Sequence, residues 1–414
     1  MISTTAEAAP RPARRSRSPR LSRSAPAADG PPSLQIPYKR FRAYNLALDN
    51  ERFESHRIWI LKPQGGFNQV GIHMYSLAKE DMADDETTAT WLKKHVPDGT
   101  WVLQEYLMNP MTYEGHKFDL RVWAVITSLD PLRLHLLGSG IPKVSQWTYS
   151  KEASRVKEQC IHVLLPGTTE CFYSKDPLVK IIEPYPHNTN GESWSSKMAP
   201  KGRKFWTEVA WPSLERVIVE CLLLAREAIV HIDHRLKRRG LQYKRTYFLQ
   251  PDVVFDASGQ ASLVEVNVNG YMIGNIHKDF FALNDEQRGV LRLIGANGYP
   301  LAPKYEKSLE AKIDSFCRES NCPPSAEAEI EEMVHEDMHA SFGWYRIFPT
   351  GDDRPHTEHF KNTRQWARSL TPMDLLMFKW LRTGWEPRHV HDRNGTVRIE
   401  RADAPRGRSK YYKN

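Results

Sequence analysis

Three oxygen-bearing side chains are predicted to meet on one face of a hairpin. The stretch SLVEVNVNG, residues 262–270, alternates like a half-buried strand, with Glu265 and Asn267 opposite its valines. Asp252 lies on the preceding strand, and the sequence DASGQ predicts the turn between the two strands. Two carboxylates and an amide oxygen suit Mg²⁺ bound to nucleotide phosphates. An antiparallel sheet with one solvated face would give the same alternation, so this stretch alone leaves both interpretations open.

A second set of polar residues alternates along the stretch HKFDLRVW. Lys117, Asp119 and Arg121 share one face, and the almost wholly apolar VWAVIT that follows is typical of a central strand buried on both faces. Charged side chains at the start of such a strand are unfavourable unless opposite charges lie close to them. Phosphates and a metal ion would supply those charges. A surface ladder of charged residues is the alternative.

Two weaker signals lie earlier in the chain. Lys62 closes the predicted strand HRIWILKP before the glycine-bearing stretch QGGFNQVG, where a lysine can bind a phosphate as a point charge. A plain hairpin would carry the same residues. The stretch VLQEYL can offer backbone groups and an amide to an adenine ring, although alone it is an ordinary strand.

A mainly antiparallel sheet is needed to bring these residues together. The sequence predicts strands around each of them, a helix around residues 84–96 and a longer helix from about Trp211 to Arg238. That longer helix has apolar residues at helical spacing, namely Val217, Cys221, Leu224, Ala228 and Ile232. A long connection is predicted at about 150–205, and residues 277–345 have a mainly helical pattern.

Composition narrows the class of partner. The chain has 414 residues and a formal net charge of +8, which favours an acidic partner. No apolar run is long enough to cross a bilayer, and no nucleic-acid motif is present, so neither a membrane nor a nucleic acid is expected as a partner. The five cysteines lack a CxxC pair, so neither a disulfide framework nor a zinc site is indicated, and a reducing, cytoplasmic location is expected.

Taken in order, these stretches resemble a known family. WILKP with its glycine loop, then VLQEYLMNP, KFDLRVW and PDVVFD…SLVEVN are similar to the ATP-grasp core of tubulin tyrosine ligase and the tubulin tyrosine ligase-like enzymes. The resemblance covers about residues 56–145 and 210–275. It implies an α/β (α+β) ATP-grasp fold in which antiparallel sheets enclose ATP, and an enzyme that joins an amino acid (Tyr, Glu or Gly) to tubulin or another acidic protein tail.

The resemblance implies a nucleotide-binding role for seven residues. Lys62 would hold a nucleotide phosphate, Lys117 a phosphate or the ribose, and Asp119 would help to orient the nucleotide. The adenine and its hinge would be held by Gln104, Glu105, Tyr106 and Leu107. The implied cofactors are ATP and Mg²⁺, and the implied partners are the acidic tail and a free amino acid.

The same resemblance assigns the metal and catalytic residues. Asp252, Glu265 and Asn267 would hold magnesium, and Arg121, Glu265 and Lys143 would be catalytic, with Lys143 standing where the family has an arginine. An ammonium in place of a guanidinium keeps the charge but loses the bidentate fork. Cytoskeletal or ciliary association is a further expectation.

Two other departures from the family pattern favour an alternative. The glycine loop has no Arg or Lys shortly before Gly71 and Ile72, and CIHVLLPG stands where the family has HLTN. The alternative is therefore a catalytically impaired relative that binds nucleotide or microtubules without ligation.

The predicted organisation has four parts. They are a disordered basic Arg/Ser/Pro-rich arm (1–36), an ATP-grasp core (37–276) with its long insertion, a helical part (277–350) and a basic C-terminal extension (351–414).

Overall fold

A computed structural model of the chain describes its ordered elements. The described residues are 56–63, 71–78, 85–95, 101–162, 201–237, 246–268, 285–295, 303–340, 343–351, 369–383, 388–391 and 397–400. The predicted arm, the glycine loop before Gly71 and residues 163–200 of the predicted insertion lie outside this set. So do Asn269 and Gly270 at the end of the polar strand.

The first described strands form a small antiparallel sheet. β1 (His56–Pro63) lies between β2 (His73–Ala78) and β3 (Trp101–Glu105). Residues from this sheet and its neighbours, among them Ile58, Met74 and Tyr106, form a small apolar cluster. Helix α1 (Asp85–His95) belongs to a separate compact unit of the chain, whereas every other described element belongs to the same unit as this sheet.

A larger antiparallel sheet contains most of the candidate site residues. Its strands are β4 (Thr112–Tyr113), β5 (His116–Leu129), β6 (Leu132–Thr148), β7 (Tyr247–Phe255), β8 (Ala261–Val268) and β9 (Trp344–Phe348). The order is β8-β7-β5-β6-β9, with β4 paired to β5. The fold is therefore a mixture of helices and antiparallel sheets, which confirms the predicted α+β class.

The remaining helices lie between the strands of the large sheet along the chain, except for the last, which follows β9. They are α2 (Gln159–His162), α3 (Gly202–Phe205), α4 (Trp211–Lys237), α5 (Asp285–Leu293), α6 (Pro303–Ser320), α7 (Ala326–His339) and α8 (Pro372–Leu381). A π-helical turn, Trp206–Ala210, joins α3 to α4. A final strand pair, β10 (Arg388–His391) and β11 (Val397–Glu400), lies within the C-terminal extension. In the described part of the chain, no helix combines the length and apolar character of a bilayer span.

The two faces of the central strand β5 pack against different apolar clusters. Leu120 and Val122 face the main core, which also contains residues of α4. Trp123 and Val125 face a second cluster that contains Leu293 of α5. The charged residues at the start of β5 lie on the same side as Trp123 by strand alternation, so this side changes from polar to apolar along its length.

Helix α4 is confirmed, and the structure shows which of its apolar residues are buried. Leu224 is 65% exposed and Ile232 is 54% exposed. The residues of this helix that pack into the main core include Leu214, Ile218 and Leu222. Helix α4 has apolar residues on more than one face, so helical spacing alone does not identify the buried face. The position of the helix against the sheet decides which residues are buried.

Three further features differ from the sequence prediction. β9 was not predicted as a strand, yet it pairs with β6 at the edge of the large sheet. β6 extends to Thr148, whereas the apolar stretch LRLHLLGSG predicts a strand only over residues 132–140. Cys160 is disulfide-bonded, whereas Cys221, Cys317 and Cys322 are free thiols. A single crosslink needs no CxxC spacing, which is why the cysteine pattern did not indicate it.

Candidate functional site

The centre of the candidate site is a buried carboxylate held by two cations. Arg121 donates from Nε to Asp252 Oδ1 at 2.8 Å and from Nη2 to Oδ2 at 2.7 Å, and Lys143 Nζ donates to Oδ2 at 2.8 Å. Asp252 is opposite Arg121 in the β5–β7 register. Lys143 is opposite Asp119 in the β5–β6 register, yet its ammonium reaches past β5 to Asp252. Three predicted site residues from three strands therefore meet here.

The ionised form of Asp252 is favoured despite its burial. Burial by itself raises the pKa of this carboxyl, but the hydrogen bond from Arg121 and the charges of Lys143 and Arg121 outweigh it, so the pKa lies below its ordinary value. The side chain of Asp252 is 1% exposed, whereas that of Arg121 is 24% exposed. The carboxylate is thus enclosed, and the guanidinium retains access to solvent or to a ligand.

The other two predicted metal ligands lie beside Asp252 on β8. Glu265 is opposite Asp252 in the strand register, and Arg121 Nη2 lies 3.9 Å from Glu265 Oε1. Asn267 Nδ2 donates to Glu265 Oε1 at 3.0 Å, and the Glu265 side chain is 53% exposed. The two carboxylates therefore converge on one guanidinium, and the amide lies next to them.

The donor types of this set suit a hard divalent cation, while in this structure both oxygens of Asp252 accept hydrogen bonds from Arg121 and Lys143. Asp252, Glu265 and Asn267 supply carboxylate and amide oxygens and no nitrogen or sulfur donor, which is the inventory that Mg²⁺ prefers. Within the described ranges, no group of three or more His, Cys, Asp or Glu side chains could hold a metal ion. A cation at this hairpin would therefore depend on the amide oxygen and on ligands from a bound nucleotide.

A β-bulge in β8 brings the small sheet to the site. Asp252 is opposite Glu265 but Val253 is opposite Leu263, so Val264 is an extra residue in the strand. The Val264 carbonyl accepts a hydrogen bond from Lys62 Nζ at 3.0 Å. The bulge also interrupts the predicted alternation, because Leu263 and Val266 both pack against the main core.

Lys62 joins the two sheets at this point. Its ammonium also donates to Gln104 Oε1 at 3.0 Å, so one predicted phosphate ligand contacts one predicted adenine ligand. Burial lowers the pKa of Lys62, while the charges of Glu265 and Asp119 act in the opposite direction. The lysine is therefore partly desolvated close to the carboxylates of the large sheet.

Lys117 and Asp119 form a second charged pair on β5. Lys117 Nζ donates to Asp119 Oδ1 at 2.7 Å and to the His162 carbonyl at 3.2 Å. Both side chains of the pair are buried. Asp119 is part of the charge environment of Lys62, which places this pair and the lysine of β1 in one electrostatic cluster.

The lysines have hydrogen-bonding capacity left for a ligand. An ammonium has three donors, and two of those on Lys62 and two of those on Lys117 have acceptors among the described residues. The third donor of each can bind an anionic oxygen. Together with Arg121 and Lys143, these lysines bring four cationic groups into one cluster, which can donate to the oxygens of an anionic ligand.

Residues 104–107 lie partly in the candidate site and partly in the apolar cluster of the small sheet. Gln104 contacts Lys62, as described above, whereas Tyr106 is 7% exposed and lies in the apolar cluster of the small sheet. Burial raises the pKa of Tyr106 well above its ordinary value. Glu105 is opposite Trp59 in the β1–β3 register, and Leu107 follows Tyr106. The adenine-binding roles of all four residues stay predictions.

Two acceptors in this cluster were not predicted from the sequence. One is the Val264 carbonyl, and the other is the His162 carbonyl, whose residue belongs to the CIHV stretch. Main-chain acceptors have no side-chain signature, so only the fold reveals them. His162 itself is buried between aromatic residues and contacts Tyr106.

A motif with zinc-protease spacing in α7 does not form a second site. His335 and His339 are four residues apart with Glu336 between them, and their rings stack with centroids 4.1 Å apart. Glu336 is buried and accepts a hydrogen bond from Arg133 Nε at 3.2 Å. The carboxylate that would act as general base is thus tied to the large sheet.

Comparisons with known proteins identify similar sequences. Residues 15–273 match the model of the tubulin-tyrosine ligase family. Over 295 residues the chain is 25% identical to the probable tubulin polyglutamylase ttll-9 of Caenorhabditis elegans, covering 66% of this chain and 63% of that protein. It is 22% identical over 366 residues to mouse tubulin polyglutamylase TTLL13, covering 80% of this chain and 39% of that protein. It is 23% identical over 339 residues to zebrafish tubulin polyglutamylase ttll6, covering 80% and 40% respectively. The chain thus spans less than two thirds of the length of these relatives.

Proposed function

The chain belongs to the tubulin-tyrosine ligase family, and from this premise we propose that it is an ATP-dependent ligase that adds an amino acid to an acidic protein tail. Glutamate is the first candidate for that amino acid, because the relatives described above are named as tubulin polyglutamylases. Tyrosine and glycine are the other candidates. Tubulin is the first candidate for the acceptor.

One observation carries this proposal. The β7–β8 hairpin accepts hydrogen bonds from cations of both sheets, since Lys62 of the small sheet donates to the Val264 carbonyl and Arg121 of the large sheet donates to Asp252. Four cations and three carboxylates thereby lie close together where Lys62 of the small sheet contacts the large sheet. Such a cluster is suited to a polyanionic ligand together with a divalent cation.

The chemistry begins with activation of the acceptor. An oxygen of the acceptor carboxylate attacks the γ-phosphorus of ATP, the bond to the β–γ bridging oxygen breaks, and ADP leaves. The amine of the incoming amino acid then attacks the acyl carbon, phosphate leaves and the amine loses a proton. The products are an amide, ADP and phosphate, and no nucleophilic Ser or Cys takes part.

The side chains of the cluster serve these steps by binding and orienting anions. Lys62 and Lys117 would hold phosphate oxygens with their remaining donors, and Arg121 and Lys143 would place the acceptor carboxylate near the γ-phosphate. Asp252, Glu265 and Asn267 would hold Mg²⁺ when it is bound, and the ion would offset phosphate charge during transfer. A partly desolvated cluster strengthens each of these contacts.

Charge also supports an acidic acceptor. The net charge of +8 would attract an acidic tail over long range, and that attraction weakens with salt. The same acceptor supports a cytoplasmic location with cytoskeletal or ciliary association.

Mass spectrometry of tubulin tails tests the proposal directly. The full chain is incubated with tubulin, Mg²⁺–ATP and either glutamate, tyrosine or glycine, and tail masses are compared with those from the Glu265→Gln variant. The expected result is a mass increase of one or more residues with glutamate, lost in the variant. Absence of any adduct with all three amino acids, together with microtubule co-sedimentation that needs no ATP, would favour the impaired relative that binds without ligation.

A further inference from the structure

The buried histidine at the end of α2 extends the candidate site. We infer that His162 is a positioning residue that fixes Lys117 for binding a nucleotide phosphate. The inference rests on the proposed function, since it assigns a partner to one of the lysines of that site. His162 would not touch the substrate.

The main chain of His162 takes part in holding the ammonium. Lys117 Nζ has two hydrogen-bond acceptors, Asp119 Oδ1 at 2.7 Å and the His162 carbonyl at 3.2 Å. The ammonium also lies 5.8 Å from the centre of the Tyr106 ring. These contacts set the direction of the third N–H, so a shift of the His162 carbonyl would turn that donor away from a ligand.

The packing of the His162 ring restricts where the main-chain carbonyl of the same residue can lie. It packs edge-on against Tyr106, with centroids 5.4 Å apart, and against Tyr149, with centroids 5.9 Å apart. Its Nδ1 lies 3.3 Å from the Tyr106 hydroxyl. The imidazole is therefore wedged between two tyrosines.

Both tyrosines are themselves tied to neighbouring segments. The Tyr149 hydroxyl donates to the Met108 carbonyl at 2.9 Å, and the Tyr106 amide donates to the Ile58 carbonyl at 2.9 Å. The packing of His162 against these tyrosines thus connects α2 to the small sheet, which also supplies Lys62. Removing the ring would leave a gap between the tyrosines and free the chain at His162 to move.

The ring is neutral at physiological pH. Burial and the nearby Lys117 charge lower the pKa of His162 to about 4, although the backbone of Arg155 and the charge of Glu158 act in the opposite direction. A neutral imidazole adds no repulsion to the ammonium. Its contribution to Lys117 is therefore geometric.

Calorimetric titration of the full chain with Mg²⁺–ATP tests this role through a double-mutant cycle. His162→Ala keeps the main-chain carbonyl but lets it shift, which should turn Lys117 away from the phosphate and raise the Kd about tenfold, the size expected for a hydrogen bond between charged groups. In a Lys117→Met background the same substitution should change the Kd less than about twofold, because the lysine through which it acts is gone. His162→Phe, which refills the space between the tyrosines, should return the Kd to within about threefold of wild type.

A matched control separates positioning from general loss of packing. His135 is a buried histidine on β6, outside the candidate site. His135→Ala should lower thermal stability but leave the Kd unchanged. If His162→Ala does not fold, His162→Gln is measured in its place with the same expectations.

The outcomes separate the inference from the proposed function. The positioning role is overturned if His162→Ala leaves the Kd of the wild-type chain unchanged. It is also overturned if His162→Ala raises the Kd equally in the wild-type and Lys117→Met backgrounds. In both cases the nucleotide site itself is retained. A wild-type chain that does not bind Mg²⁺–ATP overturns the proposed function and the inference with it.

Discussion

Substitutions of the two carboxylates of the β7–β8 hairpin should differ in their effect on stability but agree in their effect on Mg²⁺–ATP affinity. Asp252→Asn and Glu265→Gln are the same chemical change at neighbouring positions. Asp252 is 1% exposed and accepts three charge-assisted hydrogen bonds, whereas Glu265 is 53% exposed and accepts one from Asn267. The difference in burial and hydrogen bonding should therefore decide how much each substitution lowers the free energy of unfolding.

The expected magnitudes follow from burial. Removing one partner of a buried ion pair costs about 3–5 kcal/mol, because the other charge stays behind unpaired. Arg121 retains 24% exposure, so water can partly replace the lost carboxylate, and we expect about 2–4 kcal/mol for Asp252→Asn. Glu265→Gln keeps an oxygen that can accept from Asn267, so its cost should stay within about 0.5 kcal/mol.

Urea unfolding followed by circular dichroism gives the first measurement, and calorimetric titration with Mg²⁺–ATP gives the second. Both variants should lose Mg²⁺–ATP affinity by about tenfold or more, since each lacks one proposed metal ligand. Glu208→Gln is the matched control, because Glu208 is 50% exposed and pairs with Lys204 outside the site. It should change neither quantity.

Two results would refute this reasoning in different places. Equal destabilisation by Asp252→Asn and Glu265→Gln would show that the ion pairs of Asp252 do not carry the stability assigned to them. Unchanged Mg²⁺–ATP affinity in Glu265→Gln would remove Glu265 from the metal site while leaving the stability argument intact.

Two other predictions follow from the same cluster. Lys62→Met should raise the Kd for Mg²⁺–ATP about tenfold or more in the same titration, because it removes a charge and a donor while keeping the length of the chain; an unchanged Kd would contradict the phosphate role of Lys62. The pKa of Asp252 is lower in the folded protein than its ordinary value of 3.8, so its stabilising effect is present above that pH and is lost as the pH falls through the folded pKa. Wild-type stability in urea should therefore decline as the pH falls below about 5, and Asp252→Asn should reduce the decline; parallel curves would contradict the shift.

Local patterns in the sequence determined the elements and the polar face. The alternation of Lys117, Asp119 and Arg121 placed them on one side of a strand, and the DASGQ turn paired Asp252 with Glu265, because both depend only on the period of a strand and on a short turn. Helix α4 was likewise determined by helical spacing. These signals act over a few residues, so they survive without knowledge of the fold.

Tertiary structure decided the partners. Register alone would pair Lys143 with Asp119, yet Lys143 bonds Asp252 across β5, and Asp119 is taken by Lys117. An ammonium on a long, flexible chain can reach past its nearest neighbour, and the choice depends on which carboxylates are buried and already paired.

The fold also decided features that have no side-chain signal. The extra residue Val264 turns a carbonyl towards Lys62 over a separation of 202 residues, and His162 offers its own carbonyl to Lys117. β9 joins the sheet beside β6 although the two strands are about two hundred residues apart in the chain. Local sequence patterns therefore identified the candidate residues for the chemistry, whereas their contacts depend on main-chain acceptors and packing that exist only once distant segments have met.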